Sequence, residues 1–334
     1  MVTSIREITD VEIAGLVERL AAESGPVVMR GLAAHWPLVR KSRLSNHEAD
    51  AYLRDAYQGA AVTAFFGDSE TAGRIFYTEG LAETNFRQVS TDMSRVLDEI
   101  RDHEEDAHPP VVYMGSMALS HCLPGIKLDN SLQLADVDAS IRIWIGNRSR
   151  VAAHYDVLEN IACVCAGRRR FTLFPPEQLE NLYIGPIDFT PAGQSISLVD
   201  LHDPDLERFP RFAEALQHAQ SAELGPGDAI YIPSMWWHHV EGLDNLNILI
   251  NHWWLPVPAY LGAPQDALLH AILSIRELPA QQRDAWRRLF DHYVFGAHED
   301  ALAHIPEGRR GVLGKLDADA ARKLRAVLRN NLNR

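Results

Sequence analysis

Apolar residues recur along this chain with two different periods, and the dominant period changes as the chain proceeds. Up to residue 106, apolar side chains at helical spacing predict helices, and short apolar or alternating runs predict strands. The predicted helices are 9–24, capped by Thr9, then 45–57, capped by Ser45, and 93–106. The predicted strands are 26–29, 60–66 and 74–78. The N-terminal part is therefore predicted to mix helices and strands.

After Pro109 and Pro110 the pattern changes to short β-prone runs separated by glycine, proline and aspartate. The runs are 111–114, 140–145, 160–166, 170–174, 229–232 and 247–253, with one helix predicted at 209–219. Short strands that do not alternate with helices are typical of a barrel or jelly roll rather than of a parallel sheet. We therefore predict a mostly β fold with flanking helices.

From Pro264 onward the pattern predicts helices alone. They are 264–275, 279–293, 298–304 and 317–332, and the last of them carries Leu324, Val327, Leu328 and Leu332 on one side. Such a stripe packs on its own domain or forms a dimer interface, and the sequence leaves both readings open. We predict a β domain with its N-terminal flank over 1–258 and a helical region, a candidate dimerisation element, over 259–334.

Charge and cysteine content limit the partners and the compartment. With 32 basic and 45 acidic residues, the formal net charge of −13 makes nucleic acid an unlikely partner. Three cysteines without a C-x-x-C pair suit a reducing cytosol better than a disulfide framework or a structural zinc site. The chain lacks a signal-peptide pattern and any apolar run near the ~20 residues that span a bilayer. We expect a soluble, cytoplasmic protein without a membrane partner.

The first candidate chemistry is the triplet His154-Tyr155-Asp156. Residues i and i+2 of a strand share one face, so His154 and Asp156 are expected to point the same way. An imidazole and a carboxylate make half of a metal site. Alone, this H-x-D pattern is a weak signal, because such pairs also hydrogen-bond at strand ends.

A second segment, 225–240, supplies the missing half. It reads GPGDAIYIPSMWWHHV: a tight turn, a strand, a proline and an aromatic pair before His238 and His239. One further imidazole completes a triad of two histidines and one carboxylate, which leaves three positions open on a non-haem Fe(II) ion. Neighbours on an extended strand face opposite ways, so only one of these histidines can bind, and the spacing does not decide which. A histidine beside two tryptophans is otherwise more often a packed core residue.

In these segments the chain resembles the JmjC-type, cupin-like family of Fe(II)- and 2-oxoglutarate-dependent oxygenases. Within that family it resembles the branch containing the asparaginyl hydroxylase that inhibits the hypoxia-inducible factor. The matching segments are HYDVLEN at 154–160, GRRRFTLFPP at 167–176, DLHDPDLERFPRF at 200–212 and GPGDAIYIPSMWWHHVE at 225–241. The resemblance implies a double-stranded β-helix (the jelly roll of the cupins), with Fe(II) and 2-oxoglutarate as cofactors.

The resemblance implies that His154, Asp156 and His238 are the catalytic metal ligands, which leaves His239 in a supporting or core position. The implied activity is hydroxylation of a protein side chain or of a small molecule, with succinate and CO₂ as co-products. On an N-methyl group, hydroxylation would end as demethylation. A metal-binding cupin without turnover, acting as a ligand sensor or interaction module, is the main alternative. A zinc hydrolase is a third reading.

The resemblance also implies a cosubstrate pocket. Arg169 stands where the family commonly has a lysine that pairs with the far carboxylate of 2-oxoglutarate, and arginine can form the same pair bidentately. If Arg169 faces inward, its neighbours on both sides should face outward. Asn160, Asn251 and Tyr113 match positions that line the pocket, and Val151 replaces a residue that carries a hydroxyl in close relatives.

Overall fold

The computed structural model describes residues 2–191, 193–296 and 302–333 of the chain. The chain forms two compact units, Met1–Pro256 and Val257–Arg334. All strands of the described residues lie in the first unit, and the described part of the second unit is helical. None of the helices in the described ranges is long and apolar enough to cross a membrane.

The first unit contains short strands and six helices. Its strands are β1 Thr3–Ser4, β2 Arg6–Ile8, β3 Val27–Met29, β4 Val62–Gly67, β5 Arg74–Ile75, β6 Phe86–Thr91, β7 Val111–Ala118, β8 Ser140–Gly146, β9 Arg150–His154, β10 Glu159–Ala166, β11 Arg169–Phe174, β12 Gln220–Leu224, β13 Ala229–Ile232, β14 Trp237–Gly242 and β15 Asn247–Trp254. Its helices are α1 Leu16–Ala21, α2 Pro37–Ser42, α3 Asn46–Ala56, α4 Met93–Asp102, α5 Leu119–Cys122 and α6 Phe212–His218.

The strands form two sheets between which the chain passes repeatedly. The smaller sheet has the order β1-β12-β11-β14-β9-β5, and the larger has the order β2-β3-β13-β10-β15-β8-β7-β4-β6. Strands β8, β10, β13 and β15 lie in the larger sheet, whereas β9, β11, β12 and β14 lie in the smaller one. This alternation between two mostly antiparallel sheets is that of a double-stranded β-helix, so the predicted fold is confirmed.

Apolar side chains fill the space between the sheets and cover the larger sheet from outside. Phe171, Val240 and Leu249 belong to the cluster between the sheets. A second, larger cluster joins residues such as Leu38 and Leu53 of the helices to the larger sheet. Full burial of each such side chain stabilises the fold by about 1.5–3 kcal/mol. The barrel wall that carries the polar site is thus held by apolar packing.

Several predicted helices and strands differ from the structure in length. The helix predicted at 9–24 is reduced to Leu16–Ala21, because Asp10 (φ 54°) and Gly15 (φ 64°) adopt left-handed backbone that an α-helix cannot contain. The strand predicted at 74–78 ends at Ile75, and the helix predicted at 93–106 ends at Asp102. The cap at Ser45 is confirmed, since its side chain accepts a hydrogen bond from the Glu48 N–H.

The second unit carries three helices in its described residues. They are α7 Pro264–Ile275, α8 Ala280–Phe290, continued by a π-helical turn at Asp291–Phe295, and α9 Ala318–Leu332. These agree with the predicted helices to within a few residues. The helix predicted at 298–304 falls mostly outside the described ranges.

Candidate metal centre

His154 and His238 face each other across two paired strands. They are directly opposed in the antiparallel pair of β9 and β14, and their ring centroids lie 4.2 Å apart. Between this pair and the next, Val151 opposite Val240, β9 has one residue more than β14. This β-bulge bends β9 locally and allows both Val151 and His154 to face the barrel interior.

Asp156 lies close to both histidines, but alternation along a strand, which was predicted to place it there, is not the reason. Strand β9 ends at His154, so alternation along a strand does not place the carboxylate. Asp156 instead follows the strand, and its carbonyl accepts a 2.8 Å hydrogen bond from the N–H of Met235, just before β14. Its Oδ2 lies 3.7 Å from His238 Nε2. One ligand atom from each of the three side chains lies within 4.8 Å of the others, and no other such group of three occurs among the described residues.

Backbone carbonyls orient both imidazoles. His154 Nδ1 lies 2.9 Å from the Ala152 carbonyl and His238 Nδ1 lies 3.0 Å from that of Trp236. A neutral imidazole satisfies a carbonyl by donating its Nδ1–H, which leaves the Nε2 lone pair free as a ligand. Each histidine thus contacts the backbone carbonyl of the residue two positions before it.

The environment of His238 keeps this ligand neutral. The pKa of His238 is lowered to about 4, mainly by burial and also by the neighbouring His154, while Asp156 opposes the change. Metal binding requires the neutral form of histidine. His238 is 3% exposed, whereas the Asp156 side chain is 17% exposed, so the site opens on the carboxylate side.

Arg169 lies at the start of β11 with its guanidinium buried. The residue is 1% exposed, whereas the side chains of Arg168 and Arg170 are about half exposed and pair with Glu223. This is the predicted alternation. The Nε and Nη2 atoms of Arg169 are buried without a hydrogen-bond partner among the described residues. These two nitrogens form one edge of the guanidinium, the edge that binds a carboxylate bidentately.

Tyr113 of β7 lies next to Arg169 and shares its surroundings. Burial raises the pKa of Tyr113, and the positive charge of Arg169 opposes the rise. Burial likewise lowers the pKa of Arg169, and Tyr113 opposes that change. Gly146 makes room for this ring, since a Cβ there would lie 2.8 Å from Tyr113 Cδ2. Val151 packs in the same cluster as Tyr113, which links this pocket to the strand of His154.

Asn160 and Asn251 lie on adjacent strands, β10 and β15. Asn160 and Asp156 do not share a strand, because β9 ends at His154 and β10 begins only at Glu159. Asn251 Nδ2 donates to Asn160 Oδ1 over 3.4 Å, and Asn251 Oδ1 accepts a 3.0 Å bond from the indole of Trp144. Sequence reasoning missed Trp144, because a tryptophan in a predicted strand usually indicates core packing.

His239 points to the other face of β14. It is 4% exposed, and burial lowers its pKa to about 3. Its Nδ1 lies 3.7 Å from the carboxylate of Glu241, which also contacts His202 at 2.5 Å. Of the two adjacent histidines, the structure thus brings only His238 to His154 and Asp156.

A double-stranded β-helix with two histidines and one carboxylate at its mouth defines a cupin-like protein with a candidate metal site. The chain matches the cupin-like domain family over residues 14–260. It belongs to this family, and the resemblance that the sequence motifs indicated is confirmed.

Curated proteins similar to this chain include two lysine-specific demethylases and HSPB1-associated protein 1. A segment of 117 residues is 35% identical to lysine-specific demethylase JMJ31 from Arabidopsis thaliana, covering 35% of this chain and 21% of that protein. HSPB1-associated protein 1 from Homo sapiens is 33% identical over 149 residues, 43% of this chain and 30% of that protein. Lysine-specific demethylase 8 from Xenopus tropicalis is 25% identical over 237 residues, 69% of this chain and 48% of that protein. The chain matches less than half the length of each of these relatives.

Proposed function

We propose that this chain is an Fe(II)- and 2-oxoglutarate-dependent dioxygenase that hydroxylates a protein side chain or a small molecule. The observation that carries the proposal is the pairing of two features in one barrel. One is the cluster of His154, Asp156 and His238; the other is the buried Arg169, whose two unpartnered donors require an anion. A buried charge without a partner is costly, so an anionic ligand is the simplest compensation.

The residues present fit these cofactors. His154, Asp156 and His238 would hold Fe(II) through two Nε2 atoms and one carboxylate oxygen, and Arg169 with Tyr113 would hold the far carboxylate of 2-oxoglutarate. When bound, the two cofactors supply the oxidising chemistry, in which O₂ is consumed and succinate and CO₂ are released. Asn160 and Asn251 line the pocket and offer amide groups to the cosubstrate. Apolar neighbours such as Val151 keep water from the interior.

The test is an anaerobic titration of the Fe(II)-loaded protein with 2-oxoglutarate, followed by visible absorption, and then exposure to O₂ with succinate quantified. We expect saturable binding and stoichiometric succinate. Metal binding without 2-oxoglutarate binding would refute the proposal. Binding of both without turnover on any of a broad panel of substrates would instead favour a ligand sensor or interaction module.

We further propose a protein side chain as substrate. Two of the relatives are named lysine-specific demethylases. Incubating peptide libraries with lysine and N-methyl-lysine, with and without enzyme, distinguishes the outcomes by mass spectrometry. Hydroxylation adds one oxygen atom, whereas demethylation removes a methyl group. A product only from small metabolites would show that the substrate is not a protein.

We also propose that the first unit is the oxygenase domain and that the second unit pairs with a second copy of the chain. Residues of α7 and α8 are not buried. Large apolar side chains are exposed on α7, α8 and α9, among them Leu268, Leu269, Leu273, Trp286, Leu289, Val327, Leu328 and Leu332. Exposed apolar surface of this kind marks an interaction site.

A further inference from the structure

The indole of Trp144 is held in one orientation inside the barrel. It lies on β8 with its ring 6.0 Å from that of Tyr113, and 5.8 Å from that of Trp253 in an edge-to-face arrangement at 81°. Such aromatic pairs fix a ring better than aliphatic contacts do, because their geometry is specific. The direction of its N–H bond is therefore set by packing and not by a ligand.

That N–H begins a chain of hydrogen bonds with a single direction. An indole nitrogen can only donate, so the atom of Asn251 that it meets at 3.0 Å must be the amide oxygen. The Asn251 nitrogen is then turned toward Asn160, whose oxygen accepts it at 3.4 Å. The nitrogen of Asn160 remains, and it donates to no oxygen in the hydrogen-bond network of the described residues.

The direction of the chain determines what the pocket offers. A side-chain amide rotated by half a turn exchanges its oxygen for its nitrogen at little cost unless a neighbour of fixed polarity prevents it. With the Trp144 donor in place, both amides have their oxygens engaged within the protein. Asn160 is left with N–H groups to present to a ligand. A carboxylate or keto oxygen needs such donors, whereas an amide oxygen facing it would repel it.

We propose that Trp144 is a positioning residue of this site, which fixes the polarity of the Asn251 and Asn160 amides so that they bind the cosubstrate as donors. This inference rests on the proposed function, since it takes 2-oxoglutarate as the ligand. Trp144 acts on the ligand indirectly, through these two amides. No residue pattern in the sequence indicates this role.

The test is the substitution Trp144→Phe, which keeps an aromatic ring and removes the donor. In the anaerobic Fe(II)-loaded protein we expect Kd for 2-oxoglutarate to rise about 5- to 20-fold, as for one lost hydrogen bond to a buried acceptor. Fe(II) affinity should not change. Trp254→Phe is the matched control. It makes the same chemical change on β15, where Trp254 packs in the cluster outside the barrel and stacks on Tyr231, and it should leave Kd unchanged.

A double-mutant cycle with Asn251→Ala separates positioning from packing. If Trp144 acts through Asn251, Trp144→Phe should have no further effect on Kd once that amide is removed. An equal rise in both backgrounds would refute the inference and show that the ring acts by packing. Wild-type protein that binds Fe(II) but not 2-oxoglutarate would refute the proposed function. Wild-type binding with Trp144→Phe unchanged would refute this inference alone.

Discussion

The two faces of the smaller sheet both carry buried charged and polar groups, yet they treat them in opposite ways. On the outer face, Glu241 contacts His202 and Arg170, and Arg150 pairs with Asp200 at 3.0 Å. On the inner face, Arg169 is buried with two donors unpartnered, and the two imidazoles turn their Nε2 atoms toward a single carboxylate. The charged groups on the outer face pair with one another, as a structural network should. On the inner face, by contrast, the Nε and Nη2 donors of Arg169 have no such partner among the described residues.

Whether a buried charged group has a partner within the protein distinguishes residues that stabilise the fold from residues that are candidates to bind a ligand. Burial alone does not make this distinction. His238 and His239 are neighbours, and both are buried with a lowered pKa. What distinguishes them is their neighbours: His238 faces His154 and Asp156, whereas His239 faces Glu241. A buried charge whose partner is missing indicates a site, because leaving it so costs stability that a ligand can restore.

The largest effect should come from Asp156→Asn, which removes the inner carboxylate with little change in shape. We expect the affinity for Fe(II) to fall more than about 100-fold, since even residues behind the ligands change metal affinity 10- to 100-fold. Succinate formation should fall with it. Metal affinity is measured by titration, and the folded state by thermal unfolding.

Glu241→Gln is the matched change on the outer face. It should leave Fe(II) affinity intact and lower the free energy of unfolding by about 1–3 kcal/mol, because the contact with His202 is weakened. If Glu241→Gln abolished metal binding and Asp156→Asn did not, the roles of the two faces would be reversed.

The next effect concerns the buried Arg169 and the partly buried Arg150. Arg169→Met should weaken 2-oxoglutarate binding by about 30- to 150-fold, as for a lost charged hydrogen-bond pair. It should also raise the free energy of unfolding of the ligand-free protein by about 1–3 kcal/mol, because an unpaired buried cation is replaced by an apolar side chain. Isothermal titration and thermal unfolding measure the two quantities.

Arg150→Met serves as its control. Because Arg150 is paired with Asp200, this substitution should lower stability and leave 2-oxoglutarate affinity unchanged. A stability loss in Arg169→Met as large as that in Arg150→Met would mean that Arg169 already has its partner within the protein.

The buried histidines predict a pH effect of intermediate size. Folding lowers the pKa of His238 and of His252 to about 4 and that of His239 to about 3, from an unfolded value near 6.5. Between these values the unfolded chain binds more protons than the folded one, so stability is fully present above pH about 6.5 and is lost as the pH falls toward 4. Each histidine contributes about 1.4 kcal/mol per pH unit.

Denaturant unfolding of the metal-free protein between these pH values measures the slope. His252→Gln should make it shallower by about one proton, since His252 Nε2 only accepts a bond from the Leu132 N–H, which a glutamine oxygen can replace. An unchanged slope would show that His252 does not contribute.

The smallest effect is expected in the second unit, where a substitution at an exposed apolar position is compared with one at an exposed polar position. Leu273, 78% exposed on α7, should contribute to pairing of two copies. Leu273→Arg is predicted to weaken dimerisation about tenfold, measured by light scattering over a concentration series. Ser274→Arg adds the same charge about 100° further round the helix, away from Leu268, Leu269 and Leu273, and should have no effect. A monomer at all concentrations for the wild-type protein would contradict the proposed dimer.

The sequence predicted the fold and the metal cluster from short-range signals together with the family resemblance, which selected His238 over His239. Turn residues separate the strands, and His154, Asp156 and His238 stand in motifs whose spacing points to one chemistry. Where the prediction was wrong, local backbone decided the outcome. Gly15 stops the first helix from beginning earlier, and β9 ends before Asp156, so the carboxylate is placed by a backbone hydrogen bond from Met235.

Strands β9, β12 and β14 were not among the predicted runs. Segments such as Gln220–Leu224 and Trp237–Gly242 carry polar side chains that favour strands weakly, and pairing with neighbouring strands overrides that preference. Trp144 illustrates a second limit of prediction from sequence, a contact between residues that are far apart in the chain. Its indole meets Asn251 only because β8 and β15 are adjacent, with Trp144 opposite Leu249 and Arg142 opposite Asn251.

The bulge in β9 bears on how this chain should be aligned with its relatives. The four residues 151–154 of β9 span the distance that the three residues 238–240 cover on β14, so one position in β9 has no counterpart across the ladder. In a relative whose strand runs straight, a gap of one residue belongs between these two positions. An alignment that ignores it would pair Val151 with the wrong column and misjudge which side chain faces the barrel interior.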